Sequence, residues 1–348
     1  MTKADKVTLK SIVQSMTKQY GEGKIMMMGD NPLQDVKVVS SGSLAVDLAL
    51  GVGGIPLGRV IELYGQQSGG KSTLAQHMIA EVQKAGLRAA YIDAENCLDI
   101  DYATRLGVNV DELVLVQPES GEEALNITLD LVETDEIDLI VVDSVAALIP
   151  KAELEGDIGD QTVGLQARMM GQALRKLSGP AAKTQTAVIF INQTRALIGG
   201  PAWGAKETTP GGAALKFFAS VRMEIKRIKD LKDEAGAIYG VTSQVKITKS
   251  KVAPPRHEVE VNIIFGQGID LAPDTFNTAL TLGIITEKSK KYFYGETELG
   301  FGKQGACDGL CKNLPLITEI RKAVTAAIQE RRNAPPAETI PTNTNGEK

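Results

Sequence analysis

The strongest chemical signal in the sequence is a glycine-rich segment, Gly65-Gln66-Gln67-Ser68-Gly69-Gly70-Lys71-Ser72-Thr73. It satisfies G-x-x-x-x-G-K-[ST] and lies between an apolar run and a helical pattern. Glycines let successive backbone N–H groups point at phosphate oxygens, and the positive end of the following helix attracts the same charge. Lys71 would neutralise phosphate charge and the Ser72 hydroxyl would ligate Mg²⁺. The segment predicts a site for a nucleoside triphosphate and Mg²⁺.

Carboxylates follow two apolar runs that are typical of strands. Residues 139–142 precede Asp143, which predicts a carboxylate that holds a Mg²⁺-bound water beside the glycine-rich loop. Residues 89–92 precede Asp93 and Glu95. Because ligands bind at the carboxyl ends of strands in open α/β sheets, Glu95 is a candidate for polarising an attacking water.

A third apolar run, residues 187–191, ends in Asn192 and Gln193. A neutral amide at that point would hydrogen-bond the terminal phosphate and release it after hydrolysis, which makes a switch. The next segment, residues 194–211, is long and rich in glycine and proline. Long structureless loops inside compact domains are usually functional, so we expect a binding loop here.

Basic residues are concentrated near these loops. Between residues 165 and 230 eleven Lys and Arg, including Arg168, Arg175 and Arg195, stand against three acidic residues. Such an excess predicts binding to a phosphate backbone, with affinity that falls as salt rises. Trp203, the only tryptophan, lies among glycines, where its ring would stack on bases or wedge between them. The alternative is that Trp203 packs against the protein's own surface.

Two further segments carry candidate residues. Gly156, Ile158 and Gly159 open a loop that leads into a helical pattern, in which Met169 is assigned to the core. Lys249 and Lys251 end a strand with both ammonium groups on one face, since side chains alternate along a strand. They are either exposed solubilising charges or groups that point at anionic oxygens.

The elements that must position these residues follow an α/β pattern. Parallel strands are predicted at residues 60–64, 89–92, 113–116, 139–142 and 187–191, with helices between them. Beyond residue 218, alternation in residues 221–225, 245–247 and 259–263 predicts antiparallel strands that extend the same sheet. The fold class is therefore α/β, with a mostly parallel central sheet extended by antiparallel strands.

The segments outside this core divide the chain further. Residues 1–32 form an arm with a polar helix from about residue 5 to residue 20, too small to bury its own apolar face, so it must dock on its own body or on a neighbouring subunit. The core covers residues 33–268, and residues 269–332 form a small C-terminal α/β lobe. Residues 333–348 are expected to be a disordered tail.

Composition excludes several classes. A chain of 348 residues with 43% hydrophobic residues is neither a disulfide miniprotein nor a disordered tail. The net charge of −5 rules out polyanion binding by bulk charge, so a nucleic-acid site must be a local patch. Three cysteines favour reduced thiols, and the sequence has no 18-residue apolar run. We expect a soluble, cytoplasmic protein that binds no membrane.

Taken together, these strings resemble the bacterial RecA recombinase family. The motifs that carry the resemblance are residues 41–44, 51–54, 65–73, 92–95, 141–147, 156–159, 167–170, 190–193, 211–217 and 249–251. The resemblance implies a RecA-type ATPase core and a DNA-dependent ATPase that forms a helical filament on single-stranded DNA. It also implies pairing with homologous duplex DNA in recombination and repair, and activation of self-cleavage of a LexA-like repressor in the SOS response.

The resemblance also implies residue roles. ATP would lie between subunits, with Lys249 and Lys251 reaching the nucleotide of the adjacent protomer and the arm serving polymerisation. Glu95 matches the catalytic carboxylate, Gln193 the γ-phosphate sensor, and Asp99 with Tyr102 the adenine contacts. Residues 155–164 and 194–209 match the two DNA loops. The DNA-binding candidates in and beside these loops are Gly156, Ile158, Gly159, Arg168, Arg175, Arg195, Ile198, Gly199, Trp203, Gly211 and Gly212.

The sequence departs from the family pattern in the loops and the tail. Gln66, Gln67 and Gly69 lie in a stretch that in the family usually reads like Pro-Glu-Ser-Ser. This difference bears on the rate of ATP turnover. The second DNA loop is about one residue longer, with Trp203 where the family's aromatic residue is usually Phe. The last 16 residues carry only two acidic residues and one lysine. Restraint of DNA binding by an acidic tail is therefore expected to be weak.

Three other functions fit parts of the pattern. A ring helicase would use the same ATPase core, although no primase-binding domain is evident. An ATP-gated scaffold would activate another protein from its filament without strand exchange. A small-molecule kinase would need an acceptor pocket and a lid, whereas the basic loops suit a polymer better.

Overall fold

The computed structural model describes residues 8–21, 24–27, 36–157, 164–196, 207–255 and 257–333. The helices are α1 (Leu9–Tyr20), α2 (Leu44–Ala49), α3 (Lys71–Lys84), α4 (Ile100–Arg105), α5 (Gly121–Glu133), α6 (Lys151–Leu154), α7 (Leu165–Thr184), α8 (Ala214–Phe218), α9 (Leu271–Thr281), α10 (Gly302–Cys311) and α11 (Leu314–Asn333). The strands are β1 (Val38–Val39), β2 (Ile55–Pro56), β3 (Val60–Gly65), β4 (Ala89–Asp93), β5 (Val114–Val116), β6 (Leu139–Asp143), β7 (Ala187–Gln193), β8 (Arg195–Ala196), β9 (Glu207–Thr208), β10 (Val221–Lys232), β11 (Ile238–Ser250), β12 (Glu258–Ile264), β13 (Gly268–Ile269), β14 (Ile285–Lys288), β15 (Lys291–Tyr294) and β16 (Thr297–Phe301).

The chain divides into two compact units, Met1–Lys37 and Val38–Lys348. In the first unit, the Thr8 hydroxyl caps α1 by accepting from the Ser11 amide at 3.3 Å, so the helix begins at Leu9 rather than near residue 5. Four of its apolar side chains recur at helical spacing and are exposed: Leu9, Ile12, Met16 and Tyr20. The predicted boundary between residues 32 and 33 lies outside the described residues, and docking of the arm stays a prediction.

A nine-stranded sheet organises the second unit, in the order β13-β12-β11-β10-β3-β7-β6-β4-β5. From β10 to β5 every neighbouring pair is parallel, whereas β10 to β13 pair antiparallel. This confirms the predicted fold class and the predicted extension of the sheet by antiparallel strands. The central strand is β3, whose carboxyl end leads directly into the glycine-rich loop.

Both faces of the sheet are buried because successive side chains point to opposite sides. Ile61 and Leu63 pack on the face covered by α3, whereas Val60 packs on the other face with α5 and α7. Met169 of α7 lies in that second core, as predicted. Among the described residues, no helix is long and apolar enough to cross a lipid bilayer.

The predicted strands of the parallel half are all present, with small differences at their ends. Strand β5 begins at Val114 rather than at residue 113. At the carboxyl ends, Asp93, Asp143 and Gln193 are the last residues of β4, β6 and β7. The polar residues that follow each apolar run are therefore held by the sheet itself.

The C-terminal part has a third hydrophobic core, formed by α9, α10, α11 and a three-stranded antiparallel sheet, β14-β15-β16. Leu44 of α2 belongs to the same core, so this part packs against α2. Helix α11 ends at Asn333, one residue into the predicted tail, and residues 334–348 lie outside the described part. The limits of the arm, core, lobe and tail otherwise stay predictions.

A buried carboxylate joins the lobe to α2. Asp274 of α9 accepts hydrogen bonds from the Ser43 hydroxyl at 2.6 Å and from the Leu44 amide at 2.8 Å. Arg321 of α11 lies 3.3 Å from the same carboxylate and also donates to Gly42 O at 3.1 Å. One ion pair thus connects three elements that are far apart in the sequence.

We predict that Arg321→Ala lowers the free energy of unfolding by about 2–4 kcal/mol, because it leaves a buried carboxylate without its cation. Equilibrium urea unfolding measures the change. The matched control is Arg331→Ala on the exposed face of the same helix, which should stay within about 0.5 kcal/mol of the wild type. Equal midpoints for the two variants would contradict the prediction.

Candidate functional site

The glycine-rich loop runs from Gly65, the last residue of β3, to Lys71, the first residue of α3. Gly65 has φ 153°, and a Cβ there would lie 1.9 Å from Ile225 O. Gly70 has φ 90°, and a Cβ there would lie 2.2 Å from Ile263 Cδ1. Both ends of the loop therefore require glycine, which lets the loop turn its backbone N–H groups toward the start of α3.

Lys71 is buried at the mouth of this loop. Its ammonium donates to Gln66 O at 2.7 Å and to Gly65 O at 3.3 Å. Burial lowers the pKa of Lys71, and the charges of Asp143 and Glu95 oppose that shift. Of the remaining loop residues, Gln66, Gln67 and Ser68 are exposed. The geometry suits a cation that neutralises an anionic ligand held by the loop.

The predicted metal residues are in direct contact. Ser72 Oγ donates to Asp143 Oδ2 at 2.7 Å, and Tyr91 Oη donates to the same oxygen at 2.7 Å. Burial raises the pKa of Asp143, and the hydrogen bonds from Ser72 and Tyr91 oppose this shift. A hydroxyl and a carboxylate are the hard oxygen donors that Mg²⁺ prefers, so this pair fits the ion. The sequence had indicated Ser72 and Asp143 but not Tyr91.

Glu95 lies just beyond β4, exposed at the same edge of the sheet. Its Oε1 accepts from Gln193 Nε2 at 3.3 Å and also contacts the hydroxyl of Ser144 closely. Asp93 holds the turn that carries Glu95, since its carboxylate accepts from the amides of Cys97 and Leu98, each at 3.1 Å. Asp93 therefore positions the candidate catalytic carboxylate.

The two amides at the end of β7 connect the site to Pro210, which directly follows the predicted second DNA loop, residues 194–209. Gln193 contacts Glu95 and also lies 3.5 Å from Gln67 of the glycine-rich loop. Asn192 Nδ2 donates to Pro210 O at 3.1 Å, next to the C-terminal end of that loop. The same amide donates to Glu62 Oε1 at 3.0 Å. Gln193 is thus adjacent in sequence to Asn192, the residue that contacts Pro210.

Glu62 was missed by the sequence interpretation, although a charged residue inside an apolar strand signals that it needs a partner. It is fully buried and paired with Arg222, whose guanidinium also lies 4.4 Å from the centroid of the Tyr64 ring. The side chain of Arg222 is only 14% exposed. Arg222 was counted in the basic surface, and that assignment is wrong because its charge is neutralised inside the protein.

The predicted adenine contacts lie on and before α4. Asp99 caps that helix by accepting from the Tyr102 amide at 2.8 Å. The Tyr102 hydroxyl lies 3.0 Å from Thr73 Oγ1 at the start of α3. The structure thus brings Tyr102 against the glycine-rich loop, while Asp99 is exposed beside it.

Lys249 and Lys251 do not join the other site residues. Val221 pairs with both Ile61 and Ser250, so the end of β11 lies beside the start of β3. Ile61 is four residues, or about 13 Å of strand, from Gly65. Both ammonium groups turn to the end of α8, where Lys249 donates to Lys216 O at 2.7 Å and Lys251 to Phe217 O at 3.5 Å.

Three of the described DNA-binding candidates, Arg168, Gly211 and Gly212, lie at the start of α7. Arg168 is exposed on its first turn, and the Gly211 amide donates to Gln166 Oε1 at 3.2 Å. A Cβ on Gly212 would lie 2.7 Å from Ala167 Cβ, so the backbone at Gly212 lies close against this helix. The exposed candidates elsewhere are Gly156, Arg175 and Arg195. The candidates outside the described residues are Ile158, Gly159, Ile198, Gly199 and Trp203.

Comparison with known proteins settles the family. The model of the RecA N-terminal domain matches residues 7–270. Protein RecA of Levilactobacillus brevis is 49% identical over 319 residues, which cover 92% of this chain and 84% of that relative. The chain belongs to the RecA family.

Other RecA proteins show the same extent of similarity. Protein RecA of Thermus thermophilus is 48% identical over 324 residues, covering 93% of this chain and 95% of that relative. Protein RecA of Porphyromonas gingivalis is 47% identical over 325 residues, with coverage of 93% and 95%. Membership of the RecA family makes this protein a nucleotide-binding, DNA-dependent ATPase and a recombinase that acts in DNA repair.

We predict that Asp93→Asn lowers ATP turnover about ten- to a hundredfold, because a misplaced catalytic carboxylate loses alignment with its water. The amide can accept from only one of the two N–H groups that hold the Glu95 turn. Steady-state kinetics should show the loss in kcat, with little change in KM. Asp111→Asn, at an exposed position away from the site, is the control. An Asp93→Asn variant with the wild-type kcat would show that Asp93 does not position Glu95 for catalysis.

Proposed function

We propose that this RecA recombinase binds ATP with Mg²⁺ at residues 65–73, polymerises into a helical filament on single-stranded DNA and pairs that strand with homologous duplex DNA. One observation carries the proposal. Lys249 and Lys251 lie at the opposite end of the sheet from Lys71 of the same chain, so all three can face one nucleotide only if it lies between two copies.

Within one protomer, the site divides its tasks between several strand ends. Lys71 and the loop amides bind the phosphates, and Asp99 and Tyr102 contact the base. Ser72 and Asp143 would hold Mg²⁺, which supplies charge neutralisation at the phosphates. Glu95 orients the attacking water and accepts its proton. Gln193 donates its amide to the terminal phosphate.

The second copy completes this site. Lys249 and Lys251 donate to the phosphates of the neighbouring protomer, in exchange for the carbonyl groups at the end of α8. Contacts between unlike faces of identical subunits generate a helical filament when the rotation between neighbours does not close into a ring. The arm, residues 1–32, provides a second contact through its exposed face of Leu9, Ile12, Met16 and Tyr20.

DNA binding follows from nucleotide occupancy. When Gln193 holds the terminal phosphate, the adjacent Asn192 and its hydrogen bond to Pro210 fix one end of the second DNA loop. Residues 155–164 and 194–209 then grip the strand, with Arg168, Arg175 and Arg195 on its phosphates and Trp203 on its bases. Hydrolysis removes the phosphate and releases the loop.

The filament is also proposed to present a surface on which a LexA-like repressor cleaves itself. The support for this proposal is membership of the RecA family. Because the substrate is cellular DNA, we place the protein in the cytoplasm. In this scheme the core, residues 33–268, performs catalysis, residues 269–332 form the lobe, and residues 333–348 the tail.

We predict that Lys71→Ala and Lys249→Ala variants complement each other. Each variant alone should lose DNA-dependent ATP hydrolysis, since one lacks the loop lysine and the other the lysine of the neighbour. In an equal mixture that polymerises at random, about a quarter of the interfaces join two intact halves, so about a quarter of the wild-type rate should return.

ATPase assays of each variant and of the mixture on single-stranded DNA make this measurement. The control is a mixture of Lys71→Ala with a double variant, Lys71→Ala/Lys249→Ala, which has no intact loop and should stay inactive. If the first mixture is no more active than the average of its parts, both lysines belong to one copy and the shared site is wrong.

We predict that Trp203→Ala weakens binding to single-stranded DNA by about 1–3 kcal/mol, the range for the loss of one stacked base. Affinity for nucleotide should be unchanged. Fluorescence anisotropy measures both affinities, with a labelled oligonucleotide for single-stranded DNA and with a labelled nucleotide for the nucleotide site. Trp203→Phe, which keeps an aromatic face, should recover most of the affinity. DNA binding by Trp203→Ala at wild-type strength would leave the ring with a packing role only.

A further inference from the structure

A buried tyrosine hydroxyl contacts the carboxylate assigned to the metal. Tyr91 lies in the middle of β4, is 2% exposed, and donates from its hydroxyl to Asp143 Oδ2 at 2.7 Å. Most of its ring surface is apolar, so in the sequence it is indistinguishable from the other core residues of this strand. The hydroxyl is the only part of the side chain that reaches a polar group of the site.

The core holds this hydroxyl in place. Tyr91 pairs with Val141 in the parallel register of β4 and β6, one side-chain repeat before Asp93 and Asp143. Its ring belongs to the hydrophobic core that includes Leu74 and Met78 of α3. Because two strands and the helix of the glycine-rich loop fix the ring, the hydroxyl cannot turn away from Asp143 without opening the core.

The hydroxyl groups that donate to Asp143 both bind the same oxygen of its carboxylate. Oδ2 accepts from both Tyr91 and Ser72, each at 2.7 Å, and no other side chain of the described residues donates to this carboxylate. The second oxygen, Oδ1, would be the one that faces the metal. Ser72 can donate its hydrogen to Oδ2 while a lone pair of its oxygen faces the ion. Tyr91, by contrast, has no route to the ion and acts only on the carboxylate.

We propose that Tyr91 is a positioning residue for metal binding, whose hydroxyl fixes the rotation of the Asp143 carboxylate so that Oδ1 faces the Mg²⁺ held by Ser72 and the phosphates. This inference rests on the proposed function of Ser72 and Asp143 as the metal site. Hydrogen bonds to a carboxylate ligand from outside the metal shell commonly decide the affinity of the ion. Tyr91 touches neither nucleotide nor metal, so its removal should affect only the metal-dependent part of nucleotide binding.

The test uses Tyr91→Phe in the full-length protein, because the substitution removes one oxygen and preserves the ring. Binding of an ATP analogue with a fluorescent group on the ribose is titrated at increasing Mg²⁺, and once in EDTA. The midpoint Mg²⁺ concentration should rise about tenfold in Tyr91→Phe. Affinity in EDTA should stay within about twofold of the wild type, since the loop amides and Lys71 are intact.

The control is Tyr292→Phe, which removes another buried tyrosine hydroxyl that donates to a carboxylate, Glu287 at 3.1 Å, in the C-terminal lobe. Its Mg²⁺ midpoint should equal that of the wild type. If Tyr91→Phe also has the wild-type midpoint, the proposal is overturned and Tyr91 is a packing residue. If the wild type itself binds nucleotide equally well with and without Mg²⁺, the proposed metal site fails first, and this proposal fails with it.

A double-mutant cycle separates positioning from a general weakening of the site. In the Asp143→Asn background no carboxylate remains to be oriented, so adding Tyr91→Phe should shift the Mg²⁺ midpoint by less than about twofold. A full additional tenfold shift in that background would show that Tyr91 acts by another route and would overturn the proposal. Thermal melting in EDTA checks that each variant is folded before its titration is compared.

Discussion

The parallel pairing of β10, β3, β7, β6, β4 and β5 is the constraint on which the site depends. It brings the carboxyl ends of β3, β4, β6 and β7 to one edge, where Lys71, Glu95, Asp143 and Gln193 converge. The antiparallel return of β11 has the opposite effect, since it carries Lys249 to the far edge. In the function we propose, a single copy of this sheet presents the main part of a nucleotide site at one edge and its complement at the other. Self-assembly is the arrangement in which these two edges meet.

Inside one copy, the end of β7 lies between the candidate catalytic carboxylate and the residue that follows the predicted second DNA loop. Gln193 contacts Glu95 on one side and follows Asn192, which holds Pro210, on the other. Asn192 is in turn held by Glu62, whose charge is balanced by Arg222. In the function we propose, this network passes a displacement at Gln193 to Pro210, which follows the predicted second DNA loop. A recombinase needs such a link if it is to release DNA after hydrolysis.

The sequence was sufficient to predict what depends on local pattern. Strands β4, β6 and β7 end in polar residues that the pattern placed within one or two positions, and the loop at Gly65–Lys71 was evident from its spacing. Contacts between distant residues could not be predicted. Tyr91 meets Asp143 across 52 positions and Arg222 meets Glu62 across 160, and neither pair has a local signature. An aromatic residue in an apolar run indicates packing, and an arginine in a basic segment indicates surface, until the register of the sheet is known.

The claim that the catalytic site is shared is tested most directly by the ATP turnover per protomer as a function of protein concentration, with and without single-stranded DNA. A shared site predicts that turnover per protomer rises steeply with concentration and saturates as filaments form, and that single-stranded DNA shifts the rise to lower concentration. Turnover per protomer that stays constant down to concentrations at which the protein is monomeric, with no response to the strand, would contradict the account.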